Sequence, residues 1–309
     1  MKNYPLVSVV IPTYNRKCKL TRLIQSILRN DYPNERIQII VVDDFSNDGT
    51  YIKIQKNFPH VTILRNPKER FVSASRNVGI KKSSGDYILF IDDDNVIGVK
   101  MIKKLVNYMK KNEDVAICAP LMLYYGDSII WCAGVRRNML TSKTDYLLNG
   151  INLKKVKLPE IIFSDDFPNC FMVRSDIIKT YDIFFDEKLF PIHYEESDFC
   201  YKIKKLGYMT VCYTNAIVWH DVKESKVASF EKELRTHFAA RNRIIFHKKY
   251  SKGWQFLIFI STFNWLFTLF YLKVILTNTK YVLKKRIRIS IIYLKGVFDG
   301  ILQVSKKNL

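Results

Sequence analysis

Residues 87–94 read YILFIDDD. Five consecutive apolar residues with polar neighbours suit a strand buried on both faces, the kind that builds a parallel sheet. Three aspartates follow without a break. Like charges this close raise one another's pKa, so the trio is costly unless a cation sits among them. Asp is also common in solvated turns and helix caps. The carboxyl end of a strand in an α/β sheet, however, faces the crevice where such sheets bind ligands. Alternate residues Asp92 and Asp94 can then present oxygen ligands to one hard divalent cation, with Asp93 facing elsewhere.

Upstream, the same pattern repeats. Val7–Ile11 (VSVVI) is an apolar run ended by Pro12, and residues 37–42 (IQIIVV) form another, ended by the polar turn DDFSNDGT. Residues 61–64 predict a shorter strand. Between these runs Leu20, Leu23, Ile24, Ile27 and Leu28 recur at helical spacing, and helices are predicted over 51–58 and 73–82. Strand and helix in alternation imply an α/β fold: a mostly parallel sheet flanked by helices and joined by right-handed crossovers. The polar clusters after Ile11, Val42 and Ile91 should therefore meet in one crevice. Residues 122–166 carry no clear period. From 171 the pattern predicts strand, helix, loop and a helix opening near Glu195, the other half of the same domain.

Composition sets the outer bounds. The chain has 309 residues, 48% of them hydrophobic, with 11 Gly and 9 Pro, which excludes wholesale disorder and fibrous repeats. Its six cysteines lie far apart with no CxxC pair, so they read as thiols rather than a disulfide framework or zinc site. The N-terminal segment lacks the long apolar region of a secretory signal, which predicts a protein on the cytosolic side.

The net charge of +21 is uneven. Residues 1–220 carry 32 Lys and Arg against 24 Asp and Glu, whereas residues 221–309 carry 18 against 5. A nucleic acid or an anionic membrane face could take such a surplus. Residues 253–272 (GWQFLIFISTFNWLFTLFYL) decide between them: they hold no charged side chain and match the roughly 20 residues of a spanning helix. A nucleic-acid surface would interleave aromatics with Lys and Arg. Both flanks are basic, with Lys248, Lys249 and Lys252 before and Lys273, Lys280, Lys284, Lys285, Arg286 and Arg288 after. A single span concentrates positive charge on its cytoplasmic side, so this arrangement favours a monotopic helix in one leaflet over a spanning one. Ile287, Ile291, Leu294, Phe298 and Ile301 then line one face of a following helix beside Lys and Arg, an interfacial pattern. Ordinary helices packed on a soluble core are the alternative.

Several side chains are candidates for chemistry. Asp44 could accept a hydrogen bond from a nucleobase, although Ser46 or Asp48 in the same turn equally suit a helix cap. Arg76 and Asn77 lie on a helix that reaches the crevice, where a guanidinium could pair with Asp44 or meet a nucleotide. His220 follows a short apolar run and becomes a third metal ligand only in the company of the Asp trio. Glu195, Glu196 and Asp198 open a predicted helix, where acidic residues favour the dipole. They could also supply a general base to an attacking hydroxyl.

The ordered set VSVVIPTYNR, VVDDFSNDGT, RNVGIKKSSGDYILFIDDDN and YEESDFCYKIKKLGY resembles a family 2 glycosyltransferase with the GT-A fold, over about residues 6–220. The tail, RTHFAARNRIIFHKKY before an apolar stretch, is similar to membrane-associated polysaccharide and lipid-linked-oligosaccharide transferases. The resemblance implies a Rossmann-like nucleotide-binding half, an acceptor half and inverting transfer from a nucleotide-diphosphate sugar to an acceptor hydroxyl. Pro12, Tyr14 and Asp44 match nucleobase positions, with Arg76 beside them, and Asp93 a ribose or diphosphate contact. Asp92 and Asp94 match the DxD metal motif, His220 its third ligand, and Glu196 the catalytic base. The usual Glu-Asp pair is here Glu-Glu, so Glu195 and Asp198 remain candidates for the proton acceptor. Mg²⁺ or Mn²⁺ is the implied cofactor.

These readings divide the chain into a catalytic domain, 1–225, and a membrane-attachment region, 226–309, at the cytoplasmic face of the cell membrane. The expected partners are a nucleotide-sugar donor, a glycan or lipid-linked acceptor and an anionic membrane surface, with no nucleic acid. A transferase acting on polyprenyl phosphate is an alternative, but its anionic acceptor needs no general base. A nucleotidyltransferase would carry a Gly/Arg/Lys-rich loop where PTYNRK stands. A non-catalytic basic binding protein is the alternative of another class.

Overall fold

The computed structural model describes residues 4–222, 229–279 and 281–306, and only the backbone of 229–232; Lys280 and the expected boundary at 225/226 lie outside the described residues. Strands and helices alternate from the start: β1 (Val7–Thr13), α1 (Lys17–Leu28), β2 (Ile37–Asp43), α2 (Thr50–Asn57), β3 (Thr62–Arg65), α3 (Phe71–Lys82) and β4 (Tyr87–Ile91). β1 lies parallel between β2 and β4, and β2 pairs parallel with β3. Every residue of β1 and β4 is buried, as an apolar run without alternation requires in a sheet covered on both faces.

The second half adds β5 (Asn95–Ile97), α4 (Met101–Lys111), β6 (Val115–Tyr124), β7 (Ile130–Cys132), β8 (Val135–Arg137), β9 (Thr144–Tyr146), β10 (Ile161–Phe163), β11 (Cys170–Arg174), α5 (Ser175–Thr180), α6 (Glu195–Lys204) and β12 (Met209–His220). The main sheet runs β10-β12-β6-β11-β4-β1-β2-β3. β11 is antiparallel to both β4 and β6, while β6 and β12 are parallel. Four of the elements within 122–166 are three-residue strands, too short to show a period.

Alternate strand residues feed two cores. Val9, Ile11, Leu89 and Ile91 pack with Leu20, Ile24, Ile102 and Leu105 of α1 and α4. Val10, Ile40, Val42, Ile88 and Phe90 pack on the opposite face with Phe199 and Ile203 of α6. α3 comes unusually near the sheet: a Cβ on Gly79 would fall 2.2 Å from Val10 Cγ1. Arg76, one turn earlier on the same face, is thereby set under the strand ends. All six cysteines are free thiols, and only Cys18 is exposed.

The C-terminal helices are α7 (Ser229–Tyr250), α8 (Gly253–Ile258), α9 (Asn264–Thr277) and α10 (Leu283–Ser305), with a π-helical turn, Phe259–Phe263, between α8 and α9. α7 docks on the sheet domain. Asp198, fully buried, accepts from Lys249 Nζ at 2.6 Å and Tyr250 Oη at 2.7 Å, and pairs with Lys202 Nζ at 2.8 Å. Asn242 Nδ2 donates to the carbonyls of Ile192 and His193 at 2.8 and 2.9 Å. α7 is thus fastened to the domain from which the sequence reading separates it.

Candidate active site

β1, β2 and β4 all deliver their last residues to one edge. Pro12 is buried opposite Val42, Tyr14 follows β1 half-buried, and the Asp44 N–H donates to the Thr13 carbonyl at 2.9 Å. Pro12, Tyr14 and Asp44 therefore sit side by side. The Asp44 carboxylate accepts from Asn66 Nδ2 at 2.6 Å and from the backbone N–H groups of Arg70 and Phe71 at 3.0 and 2.8 Å. It caps the start of α3. Burial nevertheless pushes its pKa up, against the pull of these bonds.

The Asp trio does not continue as an extended strand. The Asp92 carbonyl accepts from the N–H of Asn95 at 3.2 Å and from Asn95 Nδ2 at 2.9 Å, which closes a turn. Strand alternation ends there, so the three carboxylates part. Asp93 accepts from Thr13 Oγ1 at 2.7 Å and Arg16 Nη1 at 3.0 Å. Asp94 accepts from the same Arg16 nitrogen at 2.8 Å, and its Oδ1 lies 3.5 Å from His220 Nε2. The Asn169 amide nitrogen lies 3.1 Å from that ring nitrogen, and Trp131 meets the ring edge-on at 4.5 Å. Asp92 turns the other way, to Arg76. Burial raises Asp93, opposed by Arg16 and supported by Asp94; in Asp94 burial is outweighed by His220 and Arg16, and its pKa falls below the usual range.

Among the described residues no three His, Cys, Asp or Glu side chains converge as a metal-holding group. Asp94 and His220 do come together, offering one carboxylate oxygen and one imidazole nitrogen. That donor pair fits part of the coordination shell of a divalent ion. Asp92 does not complete it here.

Arg76 organises the other side. It is fully buried and does not pair with Asp44: its Nη2 donates to Asp92 Oδ1 at 2.8 Å and Glu196 Oε1 at 2.6 Å, with Nη1 3.4 Å from Glu195 Oε1. The Asn169 N–H also donates to Glu196 Oε1, at 3.0 Å. Burial disfavours the guanidinium charge, but Glu196, Asp92 and Glu195 outweigh it and raise the Arg76 pKa. Three carboxylates share this guanidinium, and Arg235 acts on Glu195 as well. Burial accordingly pushes Glu196 up despite Arg76, with Glu195 and Asp92 adding to the rise. Asp198 is not in this group; it faces α7.

The turn that aims the two glutamates is strained. His193 and Tyr194 both have positive φ, 62° and 67°, at a cost on the order of 1–3 kcal/mol each for non-glycine residues. Asn242 holds it by its two carbonyl contacts, and Tyr194 packs on Phe246 at 5.2 Å under the Arg137 guanidinium. Arg16, Thr13 and Asn169 are site residues the sequence reading missed. Arg16 carries a usable signal: it follows β1 at the same edge as a trio of carboxylates in need of a cation. Asn169 sits in an aperiodic stretch and carries none.

A family model, Glycosyl transferase family 2, matches residues 8–182. An uncharacterized glycosyltransferase of Haemophilus influenzae is 37% identical over 114 residues, 36% of this chain and 44% of that one. The poly(ribitol-phosphate) beta-N-acetylglucosaminyltransferase TarP of Staphylococcus aureus is 34% identical over 109 residues, 34% of this chain and 33% of that one. The matched stretch thus spans less than half the length of either relative. GalNAc-T7, solved with UDP, GalNAc and Mn2+, superposes with a TM-score of 0.62 at 18% identity, over 78% of this chain and 48% of that one. S. aureus TarS 1–349 superposes at 0.50 and 16% identity, over 98% and 93%. These structural likenesses carry the GT-A fold, and with more than half of the chain under the family model, the protein belongs to glycosyltransferase family 2.

Proposed function

We propose that this chain is an inverting glycosyltransferase that moves a sugar from a nucleotide-diphosphate donor to a hydroxyl of a cell-surface or lipid-linked glycan. The observation that carries the reading is the guanidinium of Arg76, which holds Asp92 and Glu196 within 2.8 and 2.6 Å although they lie 104 positions apart. The donor-side edge and the acceptor-side helix meet at that one residue.

Pro12, Tyr14 and Asp44 form the floor for the nucleobase, and Asp93 faces the ribose and diphosphate. Asp94 and His220 would hold a divalent ion, Mg²⁺ or Mn²⁺, which would supply charge neutralisation for the departing diphosphate. Glu196 takes the proton of the acceptor hydroxyl as its oxygen attacks the anomeric carbon from the face opposite the leaving group. Fixing both substrates across the crevice removes much of the entropic barrier. Relatives are named for poly(ribitol-phosphate) and teichoic acid biosynthesis, which supports an anionic surface polymer as acceptor.

The test is a donor screen by nucleotide release, with and without chelator, on the native chain and Glu196→Gln. The variant is expected to turn over about 10²–10⁴-fold more slowly with donor affinity unchanged. Near-native turnover in Glu196→Gln would remove the assignment of the base.

A further inference from the structure

α8 and α9 are inside-out. Their buried positions include Asn264 and Thr268, which lie against Arg243 on α7: Nη2 donates to Asn264 Oδ1 at 2.8 Å and reaches Thr268 Oγ1 at 3.4 Å. Their outward positions are Trp254, Leu257, Trp265, Leu266, Leu269 and Phe270, between 39% and 66% exposed. Water selects the reverse arrangement, polar side out, whereas hydrocarbon selects this one.

α10 shows a second kind of surface. Leu283, Ile287, Ile291, Phe298 and Leu302 are exposed and recur at helical spacing. Lys284, Arg288 and Lys295, also exposed, run along the border of that stripe for most of the helix. An apolar stripe edged by cations is the pattern of a helix lying at the headgroup boundary. A helix crossing the bilayer has no place for Lys295 in its middle.

The two surfaces are one. α9 and α10 lie side by side: Tyr271 stacks on Tyr293 at 4.9 Å and Trp265 meets Phe298 at 6.4 Å. α7 covers the other side of α10 so closely that a Cβ on Gly296 would meet the His237 carbonyl at 2.3 Å. α9, packed on an interfacial partner, is held at that partner's depth. We infer that α8–α9 and α10 form a two-helix raft embedded flat in one leaflet of an anionic bilayer, not a span. α7 carries the raft's position to the catalytic domain, since Asn242 and Lys249 on it hold the turn and helix bearing Glu195 and Glu196. The site therefore works at a set height above the leaflet, suited to a membrane-borne acceptor. This rests on the membrane-borne acceptor of the proposed function and selects the monotopic seating of the sequence reading over its spanning alternative.

The test uses the full chain in sealed vesicles of phosphatidylglycerol and phosphatidylcholine, with exposed Cys18 replaced by Ser. Single cysteines at Lys252 and Thr277, the two ends of α8–α9, are probed with a membrane-impermeant maleimide. In-plane seating predicts both labelled from the side on which the catalytic domain is digested by protease. Labelling of the two ends from opposite sides overturns it in favour of a span. In flotation, Leu266→Glu with Leu269→Glu is expected to lower the vesicle-bound fraction at least tenfold. Replacing phosphatidylglycerol by neutral lipid should weaken the native chain. A native chain that stays off vesicles, including as a soluble oligomer with the apolar face covered by a second copy, overturns the inference. Nucleotide release measured in detergent reports on the transferase reading separately.

Discussion

Arg76 meets Asp92, Glu195 and Glu196 through its two terminal nitrogens, while Arg235 adds a further attraction at Glu195. Removing one partner of a buried ionic cluster strands the others, at about 3–5 kcal/mol. Arg76→Met is expected to lose stability of that order in urea unfolding, and Arg76→Lys to recover only part, since one ammonium does not reproduce the two-nitrogen contact. The same crowding predicts the pH profile. Glu196 is a base only when ionised, and burial with neighbouring carboxylates raises its pKa. The value of kcat/KM should therefore rise with pH along a limb displaced above the ordinary glutamate value of about 4.3. A limb at or below that value in the free enzyme's profile counts against Glu196. Sequence reading named Glu196, Asp92 and Arg76 singly. It had no means of pairing them, because a guanidinium's partners depend on which way each chain segment turns.

At the scale of elements, the site depends on two close approaches. α3 rides on β1 at Gly79, with no room for a methyl group beside Val10. Gly79→Ala should cost about 1–3 kcal/mol by overpacking, and since the shift moves α3, it should also weaken donor turnover; both are read by thermal unfolding and nucleotide release. The other approach is α7 on α6. The strands β1, β2 and β4 and helices α1 to α3 were legible because each is long enough to show its period. β7 to β10 were not, being three residues each, too short to show one. The turn after β4 was missed for a related reason: the alternation argument for Asp92 and Asp94 requires extended backbone, and Asn95 closes a turn instead.

The whole molecule joins catalysis to the basic tail through Asp198. Its charge is buried and met by Lys249, Tyr250 and Lys202. A chain truncated after Val222 keeps every strand of the sheet but loses the first two of these, and it is expected to be insoluble or unfolded. Lys249→Met in the full chain should reproduce the effect in part, with a loss of about 3–5 kcal/mol by denaturant titration. A soluble, cooperative 222-residue fragment would show that α7 is an accessory. Composition placed the charge surplus and the apolar stretch in the last third correctly, and from them a membrane partner was inferred. The side chains turned outward from α8–α9 could not be read there, because a helix apolar on most positions carries no period to tell its faces apart.

By itself the sequence determined the alternation of strand and helix, and with it the edge where polar residues must gather. Apolar periodicity is a local property, enforced by burial one element at a time. Only the tertiary structure decided that Arg76 belongs to Asp92 and Glu196, that Asp198 serves α7, and that Arg16 sits between Asp93 and Asp94. Those are contacts between segments far apart along the chain, and electrostatic pairing in a buried crevice is settled by angstroms that no spacing in the sequence encodes.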